Sequence, residues 1–188
     1  MLEIEEIIRR FESDAIGEIL KTQTTYFDAL CFFQSEPLLP QEDFRIHFRG
    51  KRNFSLGKGK FFSFQLFEKH PLLLRYAEPL VSVHLASLVS DRQKFREELD
   101  LIAKKFYGSW QSVEDFCSPP SDWTLEKPYG ILISAPLSYA EAVIEAAERI
   151  GVKLVFGNRN EPRGQMPRVL LLDEWYLIAD DFRVERVE

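Results

Sequence analysis

The stretch YGILISAPLSYAEAVIEAAERIGVKLVFG, residues 129–157, constrains the fold most, because it carries signals for a strand, a helix and a second strand in succession. Residues 131–134 and 153–156 are apolar runs of strand length. Between them, the S-x-x-E pattern from Ser138 to Glu141 predicts a capping box at the start of a helix. Val143, Ala147 and Ile150 are expected to form the buried stripe of this helix, and Gly151 is expected to end it. A chain with this unit must combine helices with a sheet.

A second helix is predicted over residues 91–108. Asp91 is a favourable N-cap, Gly108 is a favourable end, and apolar residues recur between them at helical spacing: Phe95, Leu99, Ile102 and Phe106. Residues 168–188 show short apolar runs separated by acidic pairs, which predicts two or three antiparallel strands. The expected fold class is α+β, with an N-terminal helical element followed by a mixed β-sheet that at least two helices cover.

The N-terminal segment is expected to be helical over residues 1–36. Its first apolar stripe consists of Ile4, Ile7, Ile8 and Phe11. Ser13 and Asp14 can break this helix and cap a second one that carries Ala15, Ile19 and Leu20, or the two are one continuous helix. Residues 24–33 fit either a helix or a strand, and residues 34–43 are predicted to be a linker. Residues 43–188 then form the sheet region, and the two parts together make one compact domain.

Positive charge is concentrated between residues 45 and 60. This segment contains no acidic residue and six basic ones: Arg45, Arg49, Lys51, Arg52, Lys58 and Lys60. Subtracting these six charges from the net charge of −6 leaves −12 for the rest of the chain. In residues 44–49, apolar Phe44, Ile46 and Phe48 alternate with Arg45, His47 and Arg49, which predicts a half-buried strand with a basic face. Residues 60–67 are expected to pair with it, and we call the predicted pair the basic hairpin.

The basic hairpin does not match known phosphate-binding or RNA-binding motifs. Lys58 follows Gly57, but Arg52 stands where a P-loop requires its first glycine, and the register that ends at Lys60 fails as well. Three interpretations stay open: a solvated strand face with edge lysines, a docking surface for an acidic protein, and a nucleic-acid-binding surface. The candidate binding residues are Arg45, His47, Arg49, Lys51, Arg52, Lys58 and Lys60.

An alternative ligand site is predicted at the end of the strand over residues 131–134. Ser134 ends this strand and Ser138 begins the following helix, and ligands of open α/β sheets bind near such junctions. Trp110 and Trp123, in the irregular segment 109–128, would line a pocket beside it. A loop end followed by an ordinary helix cap is the simpler interpretation of the two serines.

The sequence shows no catalytic or metal-binding pattern. His47, His70 and His84 are far apart, and none stands at metal-ligand spacing with a cysteine or another histidine. No G-x-S-x-G nucleophile motif is present. The acidic pairs at 173–174 and 180–181 point to opposite faces of a strand, so neither forms a natural carboxylate dyad. We therefore expect no metal and no cofactor, and a non-catalytic protein is favoured over an enzyme.

Localisation and partners follow from what the chain lacks and from its charge. No apolar run approaches the roughly 20 residues of a membrane helix, and the first residues do not resemble a signal peptide. We expect a cytoplasmic protein without membrane association, with Cys31 and Cys117 as reduced thiols. Its expected function is interaction or regulation, in which the basic hairpin docks on an acidic protein. The alternative is a small-molecule-binding protein or an enzyme with a pocket between the 109–128 loop and the Ser134–Ser138 junction, and a further alternative is an RNA- or DNA-binding module. The N-terminal helices are expected to mediate homo-oligomer formation.

Overall fold

A computed structural model of the chain describes residues 4–12, 15–33, 42–116 and 129–187. The helices of this part are α1 Ile4–Phe11, α2 Leu74–Ala77, α3 Arg92–Tyr107 and α4 Leu137–Arg149, with 3-10 turns at Pro71–Leu73 and Val113–Asp115. Its strands are β1 Ala15–Thr22, β2 Tyr26–Phe33, β3 Glu42–Arg49, β4 Asn53–Ser55, β5 Gly59–Phe61, β6 Gln65–Phe67, β7 Leu80–Leu85, β8 Gly130–Pro136, β9 Leu154–Asn160, β10 Arg168–Leu172, β11 Trp175–Ala179 and β12 Asp181–Val187. The α+β class is confirmed.

The chain divides into two compact units. The first unit consists of Met1–Leu73 together with Gln165–Glu188, and the second unit is Leu74–Gly164. The second unit is therefore an insertion within the first. The boundary predicted between residues 36 and 43 lies inside the first unit, and most of the predicted linker over 34–43 lies outside the described residues.

The first unit contains two antiparallel sheets that share one hydrophobic core. One sheet has the strand order β12-β3-β2-β1-β5, and the other has the order β4-β11-β10-β6. Strands of both sheets contribute fully buried side chains to the core, among them Phe27, Phe44, Phe61, Leu170 and Leu177. Burial of such large side chains is the main stabilising contribution to this unit.

Helix α1 completes the core of the first unit. Ile4, Ile7 and Phe11 of its apolar stripe are buried, and Ile8 is partly buried against the same core. The ring of Phe11 is stacked 5.2 Å from Phe61 and 5.5 Å from Phe64. The expectation of self-association rested on this stripe having no surface to pack against in its own chain. That reason is removed, because the stripe is already buried.

The predicted second N-terminal helix is wrong, because residues 15–22 form strand β1. Ala15, Gly17 and Ile19 alternate inward along this strand, and Gly17 lies opposite Phe61 in the pairing with β5. A glycine inside a helix costs about 1 kcal/mol relative to alanine, whereas here it makes room for the phenylalanine ring. Residues 26–33, for which helix and strand were both open, form β2 and pair with β1.

The predicted basic hairpin does not form. Strand β3 does extend through residues 44–49, with Phe44, Ile46 and Phe48 buried. Its neighbours are β2 and β12, so residues 60–67 are not its partner. Instead β5 pairs with β1 and β6 pairs with β10. Long-range pairing with the last strand of the chain displaced the local hairpin that the sequence predicted.

The second unit is a three-stranded antiparallel sheet with helices. Its strand order is β8-β7-β9, so β8 and β9 run in the same direction on either side of β7. Helix α4 joins them in the predicted strand–helix–strand unit. Both α3 and α4 contribute to the core, whose fully buried side chains include Val83, Phe95, Leu99, Ile133 and Val143. Every described strand pair is antiparallel, so the sheet that was expected to be mixed has no parallel pair among the described strands.

The ends of α3 are confirmed, whereas the capping box predicted for α4 is not observed. Asp91 accepts a hydrogen bond from the backbone N–H of Lys94, and Gly108 ends α3 with φ 61°. Helix α4 begins after Pro136 without a side-chain cap from its own N-cap residue. The sequence of residues 78–90 fits either a strand, through Val81, Val83 and Leu85, or a helix, through Val81, Leu85 and Val89, and its valine content favours the strand. In the structure this segment contains strand β7. Among the described helices, none has the length and apolar character needed to cross a membrane.

Candidate docking surface

The basic residues beyond β3 lie on a segment that connects the two sheets of the first unit. Residues 49–62, which we call the basic strap, leave the end of β3 and run through β4 and β5. Strand β4 pairs with β11 in the four-stranded sheet, and β5 pairs with β1 in the five-stranded sheet. The strap is therefore held by backbone hydrogen bonds near both ends, rather than projecting as a free loop.

The glycines of the strap allow the backbone to pass directly over Trp175. A Cβ atom on Gly57 would lie 2.8 Å from Nε1 of Trp175, which is closer than real contacts allow. Gly59 has φ +136°, and a Cβ there would lie 3.4 Å from Cη2 of the same ring. Only glycine combines this backbone conformation with such close approach. The glycines thus serve to pack the strap on an indole ring, a role that the sequence pattern alone did not indicate.

Three of the seven predicted binding residues are paired with acids from distant parts of the first unit. Nε of Arg45 is 3.0 Å from Asp28, and Nε2 of His47 is 2.9 Å from Glu185. Arg52 donates two hydrogen bonds to Asp180, at 3.0 and 3.3 Å. The basic face predicted for β3 is therefore largely neutralised by its neighbours β2 and β12.

These contacts shift the pKa values of two of the paired groups. The hydrogen bond to Asp28 is the largest cause of the raised pKa of Arg45. The hydrogen bond from His47 is the largest cause of the lowered pKa of Glu185, and the positive charge of Arg45 lowers it further. Both shifts favour the charged forms, as expected where opposite charges meet on a solvent-exposed sheet face.

The other four predicted binding residues have no acidic partner within the part of the chain that the structure describes. Arg49, Lys51, Lys58 and Lys60 are exposed, and the structure shows no ion pair for them with the described residues. All four lie on the basic strap. Among the seven predicted binding residues, those without an ion pair to a described residue thus cover a smaller part of the surface than the sequence suggested, and all of them lie within residues 49–60.

Two exposed aromatic rings accompany these charges. The side chain of Phe54 is 50% exposed and that of Phe62 is 60% exposed. Nζ of Lys51 lies 4.5 Å above the ring of Phe54, which is cation–π distance. Asn53 accepts a hydrogen bond from the backbone N–H of Phe54, and Asp173 accepts one from that of Phe62. Side-chain hydrogen bonds therefore fix the backbone beside each exposed ring.

A shallow cavity of about 230 Å³ adjoins the start of the strap. His47 and Arg49 line it together with Thr25, Asp181 and Arg183. Asp181 also accepts a hydrogen bond from Arg168 at 2.9 Å. Two predicted binding residues are thus brought together at one cavity, whose positive charges are partly balanced by Asp181.

The structure describes only part of the alternative ligand site predicted around Ser134 and Ser138. Ser134 is an exposed residue within β8. The backbone N–H and the hydroxyl of Ser138 donate to the two carboxylate oxygens of Glu78, at 2.8 and 3.0 Å. Glu78 therefore occupies the place at the start of α4 where an anionic ligand was expected. Trp110 is half-buried, and Trp123 and Cys117 lie outside the described residues.

A serine–histidine contact that the sequence did not reveal lies on β7. Ser82 Oγ is 3.0 Å from Nε2 of His84, a distance at which histidine can activate a serine. However, Ser82 Oγ also accepts the backbone N–H of Asn158 at 2.8 Å, at an irregularity in the pairing of β7 with β9. A Cβ on Gly157 would lie 2.3 Å from His84 Nε2. These contacts indicate that Ser82 and His84 stabilise the irregular pairing of β7 with β9.

No group of three or more His, Cys, Asp and Glu side chains is arranged to hold a metal ion in the described ranges. Comparison of the chain with protein-family models, with curated proteins and with solved structures found no match.

Proposed function

We propose that this protein is an interaction module that docks on an acidic protein surface through the basic strap. The observation that carries the proposal is the combination of Arg49, Lys51, Lys58 and Lys60, which lack acidic partners among the described residues, with two exposed phenylalanine rings. Positive side chains steer an acidic partner toward the surface and select against basic ones. Exposed aromatic rings supply the short-range contact area that charge alone does not provide.

The way in which the strap is held supports this function. Ordering a flexible loop on binding costs free energy, and a loop that is already ordered avoids this cost. Pairing of β4 with β11 and of β5 with β1 fixes the strap on both sides of Gly57. The net charge of −6 for the whole chain also disfavours a general nucleic-acid-binding protein. An acidic protein that contacts a local basic surface is compatible with that charge.

Binding of labelled probes to two triple variants tests the proposal. The probes are a fluorescein-labelled peptide of Glu, Asp and Leu, a single-stranded RNA and a duplex DNA. In the test variant, Lys51, Lys58 and Lys60 are replaced by alanine. The matched control replaces Lys94, Lys104 and Lys105, which are exposed residues of α3. Both variants lose the same charge, so only the position of the charge differs between them.

We expect the test variant to bind the acidic peptide at least about tenfold more weakly than the control, with the difference decreasing at high salt. Replacing Phe54 and Phe62 by alanine should weaken binding in a salt-independent manner. Equal loss in both triple variants would show that only net charge matters and would reject the strap as the site. Preferential binding of RNA or DNA, again lost in the test variant, would assign the strap to nucleic acid instead.

A further inference from the structure

A second candidate site lies wholly within the second unit. A cavity of about 390 Å³ is lined by Arg75 and Tyr76 of α2, by Leu80 and Asn160, and by residues 161–163 that follow β9. Leu80 and Asn160 stand directly opposite each other in the pairing of β7 with β9. Helix, sheet end and loop thus line one open cleft, and its volume is within the range of roughly 300–1,000 Å³ that is typical of small-molecule sites.

The charge of this cavity is positive because its acidic residue is already engaged. Nε of Arg159 donates to Glu161 at 2.8 Å. Arg75 and Arg163 are exposed, and neither has an ion pair within the described residues. Glu78, which is close to Arg75 in sequence, is held by Ser138. Glu161 also lines the cavity, but its carboxylate is paired with Arg159. The two guanidinium groups of Arg75 and Arg163 therefore line the cavity without an ion pair to any described residue.

The other lining residues suit an organic body attached to an anion. The ring of Tyr76 and the side chain of Leu80 supply apolar surface, and Asn160 supplies an amide that both donates and accepts hydrogen bonds. Guanidinium groups bind phosphate and carboxylate oxygens in paired hydrogen bonds. A phosphomonoester carries a charge of about −1.5 to −2 at neutral pH. The two positive charges of the arginines balance this charge more closely than they balance the single charge of a carboxylate.

We propose that this cavity binds a small phosphomonoester, with the phosphate held by Arg75 and Arg163 and the organic body packed against Tyr76. The basic strap belongs to the first unit and this cavity to the second. The two proposals therefore rest on different residues, and either can fail without the other.

Calorimetric titration of the full chain with adenosine monophosphate, adenosine and inorganic phosphate tests the site. We expect saturable binding of adenosine monophosphate, weaker binding of phosphate, and no binding of adenosine. Arg75→Ala and Arg163→Ala should each weaken adenosine monophosphate binding by about tenfold or more, since each removes a charge-assisted contact. Arg149→Ala, an exposed arginine in the last turn of α4, is the matched control and should bind normally.

A nuclear magnetic resonance titration locates the bound ligand. The side-chain amide signal of Asn160 should shift during titration with adenosine monophosphate, and it should not shift in the Arg75→Ala variant. Both arginines are exposed, so their replacement should leave the thermal unfolding temperature unchanged. Absence of saturable binding by any phosphate probe, equal binding of adenosine and adenosine monophosphate, or unaltered binding in both arginine variants would each overturn the proposal.

Discussion

At the scale of single residues, Gly17 shows how one missing side chain determines local structure. It lies directly opposite Phe61 in the pairing of β1 with β5. A Cβ atom at this position would stand 2.1 Å from Cζ of Phe61, whose ring is completely buried. The ring occupies the space that any other residue would need.

Replacing Gly17 by alanine should therefore destabilise the protein by about 1–3 kcal/mol, the usual range for overpacking a core. Urea unfolding followed by circular dichroism measures the change in the free energy of unfolding. A Gly17→Ala, Phe61→Leu double variant should lose less stability than the sum of the single variants, because the smaller side chain relieves the clash. Strict additivity would contradict this explanation.

His70 gives a second prediction at this scale. The histidine is partly buried, and its Nδ1 accepts the backbone N–H of Leu72 at 3.3 Å. Burial lowers its pKa below the ordinary value of about 6.5. At a pH between the two values the unfolded chain binds a proton that the folded chain does not, so stability rises with pH in that window.

The contribution of His70 is therefore fully present above pH of about 6.5 and decreases as the pH falls toward the lower pKa of the folded state. Urea unfolding at a series of pH values measures this decrease. A His70→Asn variant, which keeps a hydrogen-bond acceptor but does not titrate, should lack this component of the pH dependence. An identical pH dependence in both proteins would exclude His70 as its source.

At the scale of elements, the start of α4 shows a tertiary contact in the place of the cap that the local sequence predicted. The sequence predicted a capping box from Ser138 to Glu141. In the structure, the carboxylate of Glu78 accepts hydrogen bonds from both the backbone N–H and the hydroxyl of Ser138. A negative charge at this end of a helix also interacts favourably with the helix dipole.

We expect Glu78→Ala to cost about 1–2 kcal/mol of stability, as loss of a helix cap does, and Glu78→Gln to cost less because it keeps an acceptor. Glu141→Ala is the matched comparison. If Glu78 is the cap, Glu141→Ala should change the thermal unfolding temperature very little. A larger loss of stability in Glu141→Ala than in Glu78→Ala would instead support the capping box between Ser138 and Glu141.

Some elements follow from local sequence signals, and others do not. Helix α3 was predictable because Asp91, Gly108 and the stripe through Phe95 and Leu99 are all local signals. The hairpin expected from β3 was not formed, because β3 pairs with β12 at the far end of the chain. Local patterns report which face of a strand is apolar, but they carry no information about which distant strand lies beside it.

Only part of the candidate site was predictable, because local sequence does not identify the distant strands that lie beside β3. The basic character of residues 45–60 is visible in the sequence, and four of the cations are free of acidic partners among the described residues. The neutralisation of Arg45, His47 and Arg52 requires Asp28, Glu185 and Asp180. These acids are distant in sequence, so only the sheet register reveals the contacts. The acidic pair at 180–181, which separates two predicted strands, contains one of these acids, but nothing in the local sequence links it to Arg52.

At the scale of the whole molecule, the insertion of the second unit into the first makes a direct prediction. Leu74–Gly164 is a continuous segment with its own hydrophobic core. A fragment with these residues should fold alone and unfold cooperatively, which thermal circular dichroism can establish. Leu99→Ala in the fragment should lower its unfolding temperature, because Leu99 is fully buried. A gradual, non-cooperative transition would mean that the second unit requires the first.

The late position of β12 has a consequence for synthesis on the ribosome. Strand β3 emerges early, but its neighbour β12 emerges only after the entire inserted unit has been translated. Until then, one edge of β3 is a row of unpaired backbone donors and acceptors, which is a template for aggregation. The nascent chain therefore contains an unfinished sheet for as long as the inserted unit is being translated, and we expect a chaperone to protect it most effectively in this interval.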